Sequence, residues 1–285
     1  MKLTMLNSMA GSDFPAALDR QRALGMSWLD LKDQIFGTRL ELLSDEQAKT
    51  VRELVSERAL SIYCLSSGLG NYPLEMGESA WRAEANSCLD RVLAVARILQ
   101  PTVVRLLCAR THEGSPQGLG DILRRYPWMA AAYADLSKRI ADAGFRPLAE
   151  NEAHHCVVAT PRDAVDFIAA CDADADLGFI WDVQNMWQVG TFPTVADVGL
   201  LMPVLAGLHL KGGVADEHGR LARASNLQSA TWPVREIVRA VIDTGLVDVV
   251  CLNPSHGAKE ADFDVFAVAV QDATFLRSNF PEFAA

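Results

Sequence analysis

Residues 128–151 read WMAAAYADLSKRIADAGFRPLAEN, which places a helical stretch, a glycine and a short apolar run in direct succession. Gly144 stands where a residue in the left-handed conformation ends a helix. The apolar run after it ends abruptly in Glu150 and Asn151. The stretch therefore predicts a helix followed by a strand whose carboxyl end carries polar groups.

The same alternation of helical and strand patterns runs along the whole chain. Gly25 and Gly245 stand at equivalent helix ends, and Pro161 and Pro233 stand where helices begin. Eight strands are predicted, in the segments KLTMLN, SWLDLK, LSIYCLS, TVVRLLCA, FRPLAE, LGFIWDV, LAGLHLK and VDVVCLN. Eight strand–helix units in 285 residues favour a closed (β/α)₈ barrel over an open doubly wound sheet. Nothing in the sequence marks a linker, so we expect residues 1–285 to form a single domain.

Composition and charge exclude several classes of partner. The formal net charge is −10, which should repel nucleic acid and anionic membrane surfaces. The six cysteines are scattered without a C-x-x-C pair, which predicts free and mostly buried thiols. The sequence opens without a signal-type apolar segment, and its longest apolar stretch is too short to span a bilayer. We therefore expect a cytoplasmic protein.

Polar residues end four of the predicted strands, where a (β/α)₈ barrel carries its active site. Glu150 ends strand five, Asp182 ends strand six, and His209 and Lys211 end strand seven. Each residue alone has a structural explanation, such as an Asp that caps a helix. Together, Glu150, Asp182 and His209 should converge at one height inside the mouth. Two carboxylates and one imidazole suit Mn²⁺, Mg²⁺, Co²⁺ or Zn²⁺.

With these motifs the chain resembles the sugar phosphate isomerase and epimerase family, the xylose isomerase-like TIM barrels. The resemblance rests on LAEN with Glu150, WDVQN with Asp182 and LHLKGG with His209, supported by GMSWLDLK near the second strand. It implies that the three side chains bind a divalent metal, which holds the hydroxyl and carbonyl oxygens of a sugar. It also implies that Glu150 acts as a base.

The chain departs from the family pattern at two positions. Asn253 ends strand eight where the family has a second Glu. Its amide oxygen can bind a metal but cannot move a proton. Asn185 stands where the family usually has His, three residues after Asp182, and we interpret it as a substrate-binding residue. The missing base has four candidate replacements, which are otherwise solvent-side loop residues: Glu152, His154, His155 and His256.

Three cations on predicted strands narrow the substrate class. Lys32, Arg105 and Lys211 favour a sugar phosphate, a sugar acid or an enolate-forming keto compound. Lys211 is also a catalytic candidate, because an ammonium at the mouth can polarise a carbonyl. The alternative is that these cations form salt bridges with Asp30, Glu150 or Asp182.

The leading functional hypothesis is therefore an isomerase or epimerase of a sugar, a sugar phosphate or a keto-polyol, with Glu150 as base. A metal-dependent dehydratase of a keto-polyol is one alternative, since a single base can begin that reaction. A degenerate barrel that binds a sugar without turnover is another. The expected partner is a small carbohydrate-like substrate, and the exposed faces of a barrel are compatible with a homodimer.

Overall fold

Eight parallel strands surround the centre of the molecule in the computed structural model, which describes residues 1–171, 177–254, 258–259 and 263–284. These barrel strands are β1 Lys2–Met5, β2 Trp28–Lys32, β3 Ser61–Ser66, β4 Val103–Leu107, β5 Arg146–Glu150, β6 Gly178–Asp182, β7 Leu205–Leu210 and β8 Val249–Leu252. Each of the eight predicted segments contains one of them. From β2 to β8 each strand pairs with the next in the chain.

The first and last strands bring the sheet round on itself. β1 pairs with β8 in parallel, with Lys2 opposite Val249 and Met5 opposite Leu252. At the remaining seam, a parallel bridge joins Leu6 to Asp30. The hydroxyl of Thr4 also donates a hydrogen bond to the carbonyl oxygen of Trp28 at 2.7 Å. The strands thus form the nearly closed barrel that the alternation predicts.

Ten α-helices pack around the strands in the described residues. They are α1 Phe14–Ala23, α2 Asp45–Glu57, α3 Glu78–Leu99, α4 Leu119–Arg125, α5 Met129–Asp142, α6 Pro161–Cys171, α7 Val183–Gln188, α8 Val195–Leu201, α9 Val234–Thr244 and α10 Val265–Asn279. Gly25, Gly144 and Gly245 have φ values of 68°, 89° and 65°, as expected of residues that follow helix ends. In the described part of the chain, no helix combines the length and apolar character that a bilayer crossing requires.

The barrel interior is apolar toward the amino ends of the strands and polar toward their carboxyl ends. Its lower part is filled by a small apolar cluster of Cys64, Val103, Leu148, Ile180 and Ala206. Toward the carboxyl ends of the strands the buried side chains become charged, beginning with Asp30 and Arg105. All six cysteines are free and buried, as the sequence predicts.

Two antiparallel hairpins extend the barrel at its carboxyl end, and the strand pattern did not predict them. The first pairs Gln34–Ile35 with Thr38–Arg39 after β2, and the second pairs Gly212–Ala215 with Leu221–Ser225 after β7. The second hairpin is anchored to α7, because Trp187 Nε1 donates to the carbonyl oxygen of Gly219 at 2.8 Å. Gly212 allows close approach there, since a Cβ atom would overlap carbonyl oxygens of the opposite strand.

Candidate active site at the barrel mouth

The ends of three adjacent strands bring Glu150, Asp182 and His209 together. Sheet register places Asp182 opposite His209 and Glu150 opposite Ile180. One donor atom from each of the three side chains lies within 4.8 Å of the other two. All three side chains are buried, with residue exposures of 3 % or less. The convergence expected from the sequence is therefore present in the folded chain.

Arg105 on β4 is the counter-charge of Glu150. Its Nη1 lies 2.6 Å from Glu150 Oε2, and its Nη2 donates to the carbonyl oxygens of Ser66 and Ser67 at 2.9 Å each. Burial opposes ionisation of Glu150, but the charges of His209 and Arg105 prevail and hold its pKa well below the usual range. Glu150 is thus a carboxylate near neutral pH.

His209 lies between two carboxylates. Its Nδ1 is 3.0 Å from Glu150 Oε1, and its Nε2 is 3.6 Å from Asp30 Oδ2. Burial favours the neutral imidazole, yet the charge of Glu150 and the contact with Asp30 outweigh burial and raise the pKa of His209 to about 9. The ring is therefore an imidazolium near neutral pH unless a cation displaces its proton.

Asp182 has its own buried cation. Lys211 Nζ lies 2.7 Å from Asp182 Oδ2 and donates to Asn185 Oδ1 at 2.6 Å. The other oxygen of Asp182 accepts the backbone N–H of Asn185 at 3.0 Å, so the carboxylate also caps α7. Asn185 Nδ2 in turn donates to Glu152 Oε1 at 3.1 Å. The salt-bridge alternative raised for the strand cations is therefore observed for both Arg105 and Lys211.

Asn253 completes the ring of polar groups at the end of β8. Its backbone N–H donates to the carbonyl oxygen of Leu210 at 3.0 Å, which extends the pairing of β7 with β8. Its side-chain amide lies 3.5 Å from Asp182 Oδ2. Asn253 thus lies beside the three convergent side chains. His256, the other strand-eight candidate, lies outside the described residues.

The donor set fits a divalent cation. His209 Nδ1 is buried and has no well-aligned hydrogen-bond partner among the described residues, although it faces Glu150 Oε1 at 3.0 Å. Two ligands at about 2.1 Å from one ion and at right angles to each other are separated by about 3 Å. Carboxylate oxygens carry further lone pairs beyond those used by Arg105 and Lys211. Glu150, Asp182, His209 and the amide oxygen of Asn253 can therefore hold an ion.

A cavity of about 340 Å³ opens beside this cluster, on the side of β2 to β4. Lys32, Arg105 and Glu152 line it, together with residues of the first hairpin such as Gln34 and Arg39. Glu150 does not line the cavity, and Arg105 contacts both. Two of the cations expected to bind substrate are thus in the cavity wall, whereas Lys211 and Asn185 lie in the buried cluster.

The candidates for a replacement base separate in space. Glu152 lies in the wall of the 340 Å³ cavity, and its second oxygen, Oε2, has no hydrogen-bond partner among the described residues. His154 and His155 instead line a different cavity of about 410 Å³. Both histidines have left-handed backbones, with φ of 55° and 66°. Of the described candidates, Glu152 thus lies in the cavity beside the cluster, and the two histidines do not.

Asp30 and Ser66 belong to the cluster but were not identified as site residues from sequence. Asp30 is 1 % exposed, and its Oδ1 accepts a hydrogen bond from the Ser66 hydroxyl. The only sequence signal was the acidic residue of GMSWLDLK, where a polar side chain interrupts an apolar strand. A serine inside a strand carries no such signal.

The chain is similar to a known protein family and to solved structures. A family model described as xylose isomerase-like TIM barrel matches residues 18–278. The zinc-bound structure of IolI protein superposes with a TM-score of 0.78 at 14% identity, covering 100% of both chains. No curated protein sequence matches significantly.

Two further solved structures differ in their reactions. D-psicose 3-epimerase from Clostridium cellulolyticum H10, in complex with D-tagatose, gives a TM-score of 0.71 at 14% identity over 98% of this chain and 99% of that one. The probable 3-DHS dehydratase AsbF from Bacillus anthracis gives 0.72 at 14% identity, over 98% and 100%. At these identities the similarity establishes the fold alone.

Proposed function

The chain belongs to the xylose isomerase-like TIM barrel family, and on that premise we propose that it is an isomerase or epimerase of a sugar, sugar phosphate or keto-polyol. The observation that carries the proposal is the convergence of Glu150, Asp182 and His209 within 4.8 Å at the carboxyl end of the barrel. Those residues and Asn253 would hold a divalent ion, Mn²⁺, Mg²⁺, Co²⁺ or Zn²⁺. Such an ion, when bound, polarises the carbonyl of the substrate.

Glu150 is the proposed base, and Arg105 controls its access to substrate. Arg105 contacts Glu150 on one side and the cavity on the other. A substrate oxygen in the cavity competes with Glu150 for the guanidinium of Arg105. When Arg105 binds that oxygen, the Glu150 carboxylate is released. Glu150 then takes a proton from the carbon beside the carbonyl. Arg105 and Lys32 bind the oxygen on which negative charge develops.

Glu152 is the proposed second proton-transfer group, in place of the acid that strand eight lacks. Its carboxylate lines the same cavity and is oriented by Asn185. Asn185 therefore serves substrate binding indirectly, through Glu152. Lys211 acts on Asp182 and adds positive charge below the reacting oxygen, which favours an enolate.

A dehydratase is the second candidate, and Asn253 is the observation that favours it. An amide at the end of β8 cannot return a proton to the opposite face of the substrate. In a dehydration, the proton that Glu150 takes from carbon can be given to the hydroxyl of the neighbouring carbon, which leaves as water, so no acid on the opposite face is needed.

Incubation with ketoses, aldoses and inosose-like polyols in D₂O, with Mn²⁺ present, tests the proposal. An epimerase or isomerase incorporates deuterium beside the carbonyl and yields a product that matches the formula of the substrate apart from that exchange, whereas a dehydratase yields a product that lacks one water. Glu150→Gln should lower both incorporation and turnover by about 10²–10⁴-fold. Glu152→Gln, the matched variant two residues away, should lose epimerisation but keep incorporation. Binding of a sugar without incorporation or turnover would instead identify a non-catalytic barrel.

A further inference from the structure

Asp30 is a buried carboxylate whose position needs an explanation. It lies on the inner face of β2, and it is 1 % exposed. Its Oδ1 accepts the Ser66 hydroxyl, but its Oδ2 is buried without a hydrogen-bond partner among the described residues. A carboxylate oxygen removed from water and left unpaired is costly. A folded chain keeps such a group where another group requires it.

Among the described residues, His209 offers a ring N–H to Asp30 Oδ2. The two atoms, His209 Nε2 and Asp30 Oδ2, are 3.6 Å apart, slightly beyond hydrogen-bond length. The other ring nitrogen, Nδ1, faces Glu150. An imidazole that binds a metal through one nitrogen commonly donates its other N–H to a carboxylate, which fixes both the tautomer and the ring plane. The ring is placed for that division of roles.

The backbone holds Asp30 rigidly for this purpose. Asp30 pairs with Cys64 on β3 and forms the bridge to Leu6 that joins β2 to β1. The β2–β3 register shifts between Leu29 and Asp30, and such irregularities redirect a side chain. Ser66 then fixes the carboxylate through Oδ1. The pairing with β3, the bridge to Leu6 and the Ser66 hydroxyl together hold Asp30 with its Oδ2 directed at His209.

We propose that Asp30 is a positioning residue that holds the His209 ring with its Nδ1 lone pair directed at the ion site of Glu150 and Asp182. The inference rests on the proposed function, because it concerns the ion which that function uses. Asp30 does not touch substrate in this arrangement. It acts only through His209.

Cys251 provides the competing arrangement. One donor atom each of Asp30, His209 and Cys251 also lies within 4.8 Å of the others. An ion in that second group would bind Asp30 and Cys251 directly and would use the other ring nitrogen of His209, Nε2. The two arrangements differ in whether Cys251 is needed.

Titration calorimetry with Mn²⁺ and Zn²⁺ tests the proposal on the full-length protein. Asp30→Asn should weaken affinity by about 10–100-fold with unchanged stoichiometry. Ser66→Ala leaves the Asp30 carboxylate in place but loosens it, and should weaken affinity about threefold. Cys251→Ala, the matched control in the competing group, should bind as the unaltered protein does. Ser66→Ala decides the question if Asp30→Asn fails to fold, which thermal unfolding reveals.

A spectroscopic measurement separates positioning from general support of the fold. In the Zn²⁺-loaded protein, ¹⁵N NMR should show His209 with zinc on Nδ1 and a slowly exchanging proton on Nε2, and Ser66→Ala or Asp30→Asn should speed that exchange. Unchanged ion affinity in both Asp30→Asn and Ser66→Ala would overturn the inference, although the unaltered protein would still bind an ion. Loss of ion binding in Cys251→Ala would also overturn it, because the ion would then lie in the group that contains Cys251. Absence of any binding to the unaltered protein would overturn the proposed metal chemistry itself.

Discussion

Arg105 Nη1 lies 2.6 Å from Glu150 Oε2, and both side chains are only 2 % exposed. The pair spans β4 and β5 at the level where the barrel interior changes from apolar to polar. Burial of two charges is costly, and their mutual attraction offsets that cost only while both remain. The stability of the barrel therefore depends on the same ion pair that keeps the proposed base, Glu150, ionised.

Loss of one partner of this pair should be strongly destabilising. Arg105→Met is expected to lower the free energy of unfolding by about 3–5 kcal/mol, because it leaves Glu150 buried without its counter-charge. Arg105→Lys should lose less, since an ammonium keeps the charge but not the fork of donors to Ser66 and Ser67. Urea unfolding measures both. Arg162→Met is the control, since it breaks an exposed pair with Asp166 and should cost below about 0.5 kcal/mol. Equal losses at Arg105 and Arg162 would contradict the assignment.

Lys211→Met separates the catalytic contribution of Lys211 from its structural one. Turnover should fall by about 10²–10³-fold, because a preorganised cation near the reacting oxygen is lost. Mn²⁺ affinity should rise, since Asp182 no longer shares its oxygen with an ammonium at 2.7 Å. Steady-state kinetics at saturating Mn²⁺ and calorimetry give the two values. If turnover and affinity fell together, Lys211 would act only by holding Asp182 in place. Lys138→Met, in an exposed pair with Asp142, should change neither.

Asn253→Glu should tighten Mn²⁺ binding, because it adds a charged oxygen ligand beside Asp182, 3.5 Å from the present amide. Asn253→Gln has the same length without the charge and is the control. Calorimetric titration should show a higher Mn²⁺ affinity for Asn253→Glu than for Asn253→Gln. Equal or weaker affinity for the Glu variant would place the end of β8 outside the coordination shell.

Asp272 on α10 gives a dependence of stability on pH that is independent of the mouth. Its side chain is fully buried, and one oxygen accepts the backbone N–H of Leu227 at 2.6 Å. Burial outweighs that hydrogen bond and raises the pKa of Asp272 to about 7. The unfolded chain releases this proton near pH 4. The contribution of Asp272 to stability is therefore greatest below pH 4, decreases between pH 4 and 7, and is constant above pH 7.

Asp272→Asn should remove this decrease. Each unit of pKa displacement corresponds to about 1.4 kcal/mol. The free energy of unfolding of the variant, relative to that of the unaltered protein, should therefore rise by on the order of 4 kcal/mol between pH 4 and pH 8. Denaturant unfolding of both proteins at several pH values measures the difference. A difference that does not change with pH would show that Asp272 ionises alike in the folded and unfolded chain.

The strand–helix alternation favoured the barrel over an open sheet, because eight mostly apolar strand segments alternate with helical segments along the chain. It also located Glu150, Asp182 and His209, since strand-end polar residues must meet in a barrel. The pairing of Arg105 with Glu150 and of Lys211 with Asp182 was not decided, because sequence does not fix which carboxylate a buried cation faces. The two hairpins were missed because their strands are short and one begins with two glycines. Asp30 was named only as a possible partner of a strand cation, because its approach to a ring nitrogen of His209 on β7 depends on the fold.

The pairing of β1 with β8 also bears on how the chain is made. During synthesis Lys2 emerges well before its partner Val249. A growing chain therefore exposes the unpaired edge of β1 until β8 is complete, and such edges associate with other chains. Leu6, which bridges to Asp30 across the other seam, also donates a hydrogen bond to the carbonyl oxygen of Leu252 at the end of β8. A growing chain that lacks β8 therefore cannot yet hold this part of the mouth in its final shape. Truncated chains that lack β8 should require a chaperone to remain dispersed.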